Sequence, residues 1–318
     1  MYKEPIFLQP VFQERIWGGQ KLHTEFGYDI PYTHTGEAWV ISAHPNGPSE
    51  IKNGPLKGKT LIDAWNEHGE LFGRDAASDE EYPLLVKILD ADKDLSVQVH
   101  PDDTYAREVE GQPYGKTECW YVVSADEDAE IIFGHHANSR EELQKMVDEG
   151  KWDSLLRKVN VQAGDFVYVP SGTIHAIGKG IVILETQQSS DITYRVYDYD
   201  RTDDNGNTRE LHLESSIAVT TVPHQAVDID EQVTYVDDLI VKRLVKETYF
   251  TVYHCELSGQ AVQKLDNKFL QVSVLDGSAE LKVGEDTYSI EKGDHFILPT
   301  TIDSYTLSGN ATFIASHT

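Results

Sequence analysis

The segment Gly164-Asp165-Phe166-Val167-Tyr168-Val169-Pro170-Ser171-Gly172-Thr173-Ile174-His175 constrains this chain more than any other. Its spacing reads as a short strand closed by a tight Pro/Gly turn that delivers His175 into an interior cavity. Upstream, Gln98-Val99-His100 continues an alternating apolar run, Leu95, Val97 and Val99, so on a strand Gln98 and His100 leave the same face. Glu118 lies in a further strand-like run, Lys116 to Val123, where an inward carboxylate among aromatics is costly unless paired or bound to a cation. We read these three pieces as one metal site. Two histidines and one carboxylate suit zinc, and also Fe(II), Mn or Ni, with positions left for water or a ligand. A neutral Gln98 as fourth ligand would leave a zinc site net positive and a strong Lewis acid.

The bland readings are a hydrogen-bonded core histidine in each case and a Glu118 paired with Lys116. Each residue alone is weak evidence; their convergence carries the expectation.

Composition narrows the partners. At 318 residues and 39% hydrophobic content the chain can bury one large core or two modest ones. A formal charge of −27 argues against nucleic acid as a partner, and an anionic small ligand would need locally concentrated Lys or Arg. Only Cys119 and Cys255 occur, the first residues lack the apolar core of a signal peptide, and no run approaches a membrane span. The expectation is a soluble cytoplasmic protein with no membrane partner.

Along the chain, Thr60 to Phe72 has near-helical apolar spacing, with Thr60 as N-cap and Gly73 as stop. Ser139-Arg140-Glu141-Glu142 reads as a capping box opening a helix that closes near Gly150, and Trp152, Leu155 and Leu156 continue for another turn or two. The rest reads as strand and turn. Ser289 to Pro299 echoes Val161 to Pro170, with Gly293 and Pro299 repeating the spacing of Gly164 and Pro170. Carried onward, the register puts Thr301 at the place of Gly172 and Ser304 at that of His175, so the second copy has lost its metal ligand. The expected fold is mainly β: two related β-barrels with a short helical insertion. Residues 1–232 would form the metal-binding catalytic unit, with the insertion at about 137–158, and residues 233–318 a degenerate barrel without metal.

The Gly164 to His175 pattern is similar to the second cupin motif. Together with Gln98-x-His100, Lys116-x-Glu118 and Leu184-Glu185-Thr186-Gln187-Gln188-Ser189-Ser190-Asp191 leading to Tyr194-Arg195, it resembles the short bacterial form of the type I mannose-6-phosphate isomerases. That resemblance covers most of the chain and implies that the two β-barrels are cupin-type, of jelly-roll form. It implies interconversion of mannose 6-phosphate and fructose 6-phosphate with one zinc per chain, held by Gln98, His100, Glu118 and His175. It makes Arg195 catalytic and places Ser96, Lys116, Glu185 and Asp191 along the substrate pocket. Trp17, followed by Gly18 and Gly19, offers a flat apolar face to a sugar ring; a core Trp beside a structural turn is the plainer reading. The insertion is far shorter than in the long eukaryotic enzymes, and Lys179 stands where the cupin motif often ends in Asn.

Moving a carbonyl between C1 and C2 passes through an enediol, whose oxyanion a metal ion and Arg195 would stabilise. Arginine stays protonated, so the base comes from Glu185, Asp191 or a metal-bound hydroxide. Lys116 and Arg201 are candidate phosphate partners, and an Arg201 pairing with Asp198 or Asp200 is the plainer alternative. Competing readings are another metal-dependent cupin enzyme, such as a dioxygenase or a glucose 6-phosphate isomerase, and a non-catalytic sugar-phosphate sensor. The sequence leaves the oligomeric state open.

Overall fold

The structure, a computed structural model, describes residues 2–75, 79–202, 205–266 and 268–318. It is mainly β, with three sheets. A six-stranded sheet runs Phe166–Val169, Glu118–Ala125, Ile181–Gln188, Leu84–Ala91, Val11–Gly19, Thr35–Ile41. A five-stranded sheet runs Tyr194–Tyr197, Val97–Val99, His175–Ile177, Glu130–His135, Leu156–Asn160. Trp120, Ile183 and Leu89 of the first pack against Ile131 and Ile177 of the second, so the two sheets share one apolar layer.

The third sheet has nine strands, seven from the tail and two, Ile6–Gln9 and Glu50–Ile51, from the start of the chain. His295–Leu298, the outermost of the tail strands on that side, pairs with Ile6–Gln9 from the chain's start, Ile6 opposite Ile297, and Ile6–Gln9 pairs in turn with Glu50–Ile51. This covers an edge that would otherwise present unpaired backbone groups. Strand pairing closes none of the three sheets into a barrel among the described residues. No helix among them is long and apolar enough to cross a membrane.

The sequence echo is a structural repeat. Gly164 and Gly293 both take left-handed backbone, φ +92° and +90°, which glycine adopts without a Cβ clash. The following aspartates close the same turn: Asp165 Oδ2 accepts from Gln162 N at 2.8 Å, and Asp294 Oδ2 from Glu291 N at 3.0 Å. Beyond each turn comes a four-residue strand, Phe166–Val169 and His295–Leu298. Ser304 opens a strand as His175 does.

The helices follow their caps. Leu61–Glu67 starts at Thr60, whose side chain accepts from Asp63 N while Asp63 returns the bond to Thr60 N, an arrangement worth about 1 kcal/mol. A separate 3₁₀ turn, Gly69–Phe72, completes the stretch read as one helix. Arg140–Asp148 starts at Ser139, which accepts from Glu142 N, but Glu142 bonds back to Asn138 N rather than to Ser139. Trp152–Leu155 adds one turn, and Leu156 already belongs to the five-stranded sheet.

Candidate metal centre and substrate cavity

Strand register decides which side chains meet. In the five-stranded sheet Arg195 lies opposite Gln98, and Gln98 opposite His175, so three residues read separately in the sequence form one row on one face. In the six-stranded sheet Trp39 lies opposite Lys87, Lys87 opposite Glu185, and Glu185 opposite Trp120. Glu118, two residues before Trp120 on its strand, shares that face.

His100, Glu118 and His175 are all but fully buried, and one nitrogen or carboxylate oxygen from each falls within 4.8 Å of the others. Both rings are held in one tautomer. His100 Nδ1 donates to Ile192 O at 2.8 Å and His175 Nδ1 to Thr173 O at 2.8 Å, which leaves each Nε2 with its lone pair toward Glu118. His100 Nε2 lies 3.4 Å and His175 Nε2 3.3 Å from the two carboxylate oxygens.

Lys116 tests the plainer reading. Its Nζ lies 2.9 Å from Glu118 Oε2 and 3.1 Å from His100 Nε2, so an ammonium balances the carboxylate. It leaves His175 Nε2 without a partner, although that atom is buried. A buried ring nitrogen with an unused lone pair beside a carboxylate and a second imidazole is the donor set a divalent cation takes. The residues therefore fit a metal ion.

The electrostatics agree. Burial depresses the His100 pKa to about 3, with Lys116 adding to the shift, so the ring is neutral at neutral pH. Burial lowers His175 as well, against the opposing pull of Glu118. For Glu118 burial acts upward, but Lys116, His100 and His175 outweigh it and hold the carboxylate well below its ordinary range. Burial pulls Lys116 down, and Glu118 and Glu185 more than restore it. Glu185 moves the other way: burial, then Glu118, raise it to about 7 despite Lys116 and Lys87.

Lys116 joins this cluster to a cavity of about 470 Å³. Seven of the sequence candidates line it: Trp17, Ser96, Gln98, Lys116, Glu185, Asp191 and Arg195. Arg195 donates from Nε to Ser96 Oγ at 3.3 Å and from Nη1 to Glu210 O at 2.7 Å. Asp191 accepts from Asn46 Nδ2 at 2.6 Å. Trp17 is 4% exposed and packs in the apolar layer as well as lining the cavity.

Arg201 is not among the lining residues. It pairs with Asp198 at 2.7 Å, the plainer of its two readings.

Sequence reasoning missed several residues of the cavity and its surroundings. Lys87 is buried with Nζ 3.6 Å from Glu185 Oε1, and its signal was a lysine inside the apolar run Leu84 to Leu89. Arg15 pairs with Glu37 at 3.1 Å, and Glu37 also accepts from Trp39 Nε1 at 2.7 Å. Arg209, held by Asp198 at 2.6 Å, had no signal in its turn-rich surroundings. Trp120, outside the lining, donates from Nε1 to Glu118 Oε1 at 3.0 Å and to Glu185 Oε2 at 3.2 Å.

A buried His–Glu–His cluster that could hold a metal ion, joined through Lys116 to a cavity with five cationic side chains, defines a candidate metal centre in a mainly β protein whose tail matches a cupin domain. The family model for the catalytic domain of type I phosphomannose isomerase matches residues 6–117, and that for the mannose-6-phosphate isomerase cupin domain matches residues 240–318. The chain is 55% identical to mannose-6-phosphate isomerase of Streptococcus mutans over 99% of this chain and 98% of that one. It is 51% identical to mannose-6-phosphate isomerase ManA of Bacillus subtilis over the whole of both. The crystal structure of the mannose 6-phosphate isomerase from Bacillus subtilis superposes with a TM-score of 0.96, at 50% identity, covering 99% of this chain and all of the other. The chain belongs to the type I phosphomannose isomerase family.

Proposed function

We propose that this enzyme interconverts mannose 6-phosphate and fructose 6-phosphate as a zinc-dependent aldose–ketose isomerase working through an enediol. The observation that supports this best is the neutral, tautomer-fixed pair His100 and His175 facing Glu118, beside a cavity that gathers Arg15, Lys87, Lys116, Arg195 and Arg209 in a chain of net charge −27. That local excess of cations is what an anionic sugar phosphate requires.

His100, Glu118, His175 and Gln98 would hold the zinc, Gln98 from the row it shares with His175. When bound, zinc supplies Lewis-acid stabilisation of negative charge on the sugar oxygens. The chain's own residues do the rest. Trp17 and Trp39 give the ring apolar walls. Arg195, fixed by Ser96 and Glu210, hydrogen-bonds developing oxyanion charge and stays protonated.

Glu185 is the best-placed base. It lines the cavity, its Oε1 is buried without a hydrogen bond, and Trp120 fixes its other oxygen. A carboxylate held there can take the proton from C2 and return it to C1. Asp191, half exposed and bonded to Asn46, is better suited to a sugar hydroxyl.

We keep residues 1–232 and 233–318 as two cupin-type barrel units, the second without metal; the shared Gly/Asp turns and the loss of a histidine at Ser304 support this. The cytoplasm is our proposed location, consistent with the buried free thiols Cys119 and Cys255. An isomerase assay on mannose 6-phosphate before and after chelation, with activity restored by zinc, tests the proposal. Full turnover in metal-free protein would overturn it.

A further inference from the structure

The tail has lost its metal ligand but kept an interior. At one end of the nine-stranded sheet lies a cavity of about 420 Å³, a volume within the range of small-molecule sites. Its walls include Leu239, Cys255, Phe269, Tyr305 and Phe313, all buried in the tail core or beside it. This is a different chemistry from the charged cavity beside the His–Glu–His cluster.

Two polar groups in these walls lack partners. The Gln263 amide nitrogen is buried without a hydrogen bond. The Tyr305 hydroxyl makes none among the described residues, although the residue is 9% exposed. A buried donor without an acceptor is rare, and the Gln263 amide and the accessible Tyr305 hydroxyl border one cavity, so an acceptor on a ligand would meet both. Lys264 and Lys268 stand at the same cavity with one acid, Asp266. Lys264 has no ion pair among the described residues, in a protein with 54 acidic side chains against 27 basic ones.

We propose that this cavity binds a small amphipathic organic acid. The apolar body lies among Leu239, Phe269 and Phe313, and the carboxylate meets Gln263, Lys264 and Lys268. The site is separate from the metal cavity and does not rest on the isomerase reading.

The test is calorimetric titration of the full chain with 3-phenylpropionate and with its uncharged analogue 3-phenylpropionamide, each repeated in saturating mannose 6-phosphate. The acid should bind with submillimolar Kd, the amide about ten-fold or more weaker, and mannose 6-phosphate should displace neither. Val241→Phe, which fills the cavity, should abolish binding of both. If that variant fails to fold, Lys264→Glu/Lys268→Glu carries the test, because both changes lie at the rim; it should weaken the acid about ten-fold and leave the amide unchanged. No binding at 10 mM, equal affinity for acid and amide, or displacement by mannose 6-phosphate would each overturn the proposal.

Discussion

His175 Nε2 stands 3.3 Å from Glu118 Oε1 without hydrogen bonding to it, while the opposite ring nitrogen is tied to Thr173 O at 2.8 Å. The ring is therefore aimed, and its free nitrogen is not satisfied by protein. Lys116 on the other carboxylate oxygen shows that the cluster can balance charge without a metal, but only at Glu118 and His100.

Removing a ligand and removing a charge should separate. His100→Ala should lower zinc affinity by more than about 100-fold, read as metal content after gel filtration. Arg195→Ala should keep full metal content and lose roughly 10²–10³ in kcat, because its guanidinium lines the cavity and not the cluster. Full activity in either variant would count against the assignment.

Glu185→Gln keeps the shape and removes the proposed base. Metal content should stay unchanged, while kcat falls by roughly 10²–10⁴ and solvent deuterium no longer enters the sugar at C1 or C2. Retained exchange would move the base to Asp191 or to a metal-bound hydroxide.

The tail carries a buried histidine whose titration the fold suppresses. His295 bonds through Nε2 to Tyr28 Oη at 2.6 Å and through Nδ1 to Ser273 Oγ at 2.9 Å, and burial, helped by Lys52, lowers its pKa to about 3. Unfolded, the same ring titrates near 6.5. Between those values the unfolded chain takes up a proton that the folded chain refuses, so stability is complete above pH 6.5 and falls as pH drops toward 3. The loss is about 1.4 kcal/mol per pH unit from this group. His295→Phe, which installs the side chain found at the aligned Phe166, should flatten the fall of Tm between pH 6.5 and 4.5. An unchanged slope would show that His295 is not the source.

Gly18 sits where two strands touch. A Cβ there would come within 2.3 Å of Gly36 N, a backbone atom that cannot move aside. Gly18→Ala should cost about 2 kcal/mol or more, read as a lower urea midpoint with unchanged m-value. Gly58→Ala provides the contrast: no atom lies within 4 Å of its Cβ, and only its left-handed backbone, φ +84°, opposes the change. It should cost about 1 kcal/mol.

Local rules were enough for the turns and caps. Thr60 and Ser139 start helices because their side chains reach N–H groups within the next turn, and Gly164 and Gly293 recur because a left-handed turn favours glycine. The ligand types were equally legible, since histidine and glutamate inside apolar strands are costly without a purpose. By itself, then, the sequence determined a β-rich chain with repeated Gly/Asp turns and a set of chemically suited side chains. Only the tertiary structure decided which of them meet. Register across strands far apart in the chain put Gln98 between Arg195 and His175, brought Lys87 to Glu185, and left Arg201 on Asp198 outside the cavity. It also carried the first strand, Ile6–Gln9, across to the tail sheet, because an open sheet edge gains hydrogen bonds from any strand that reaches it, whatever its place in the chain.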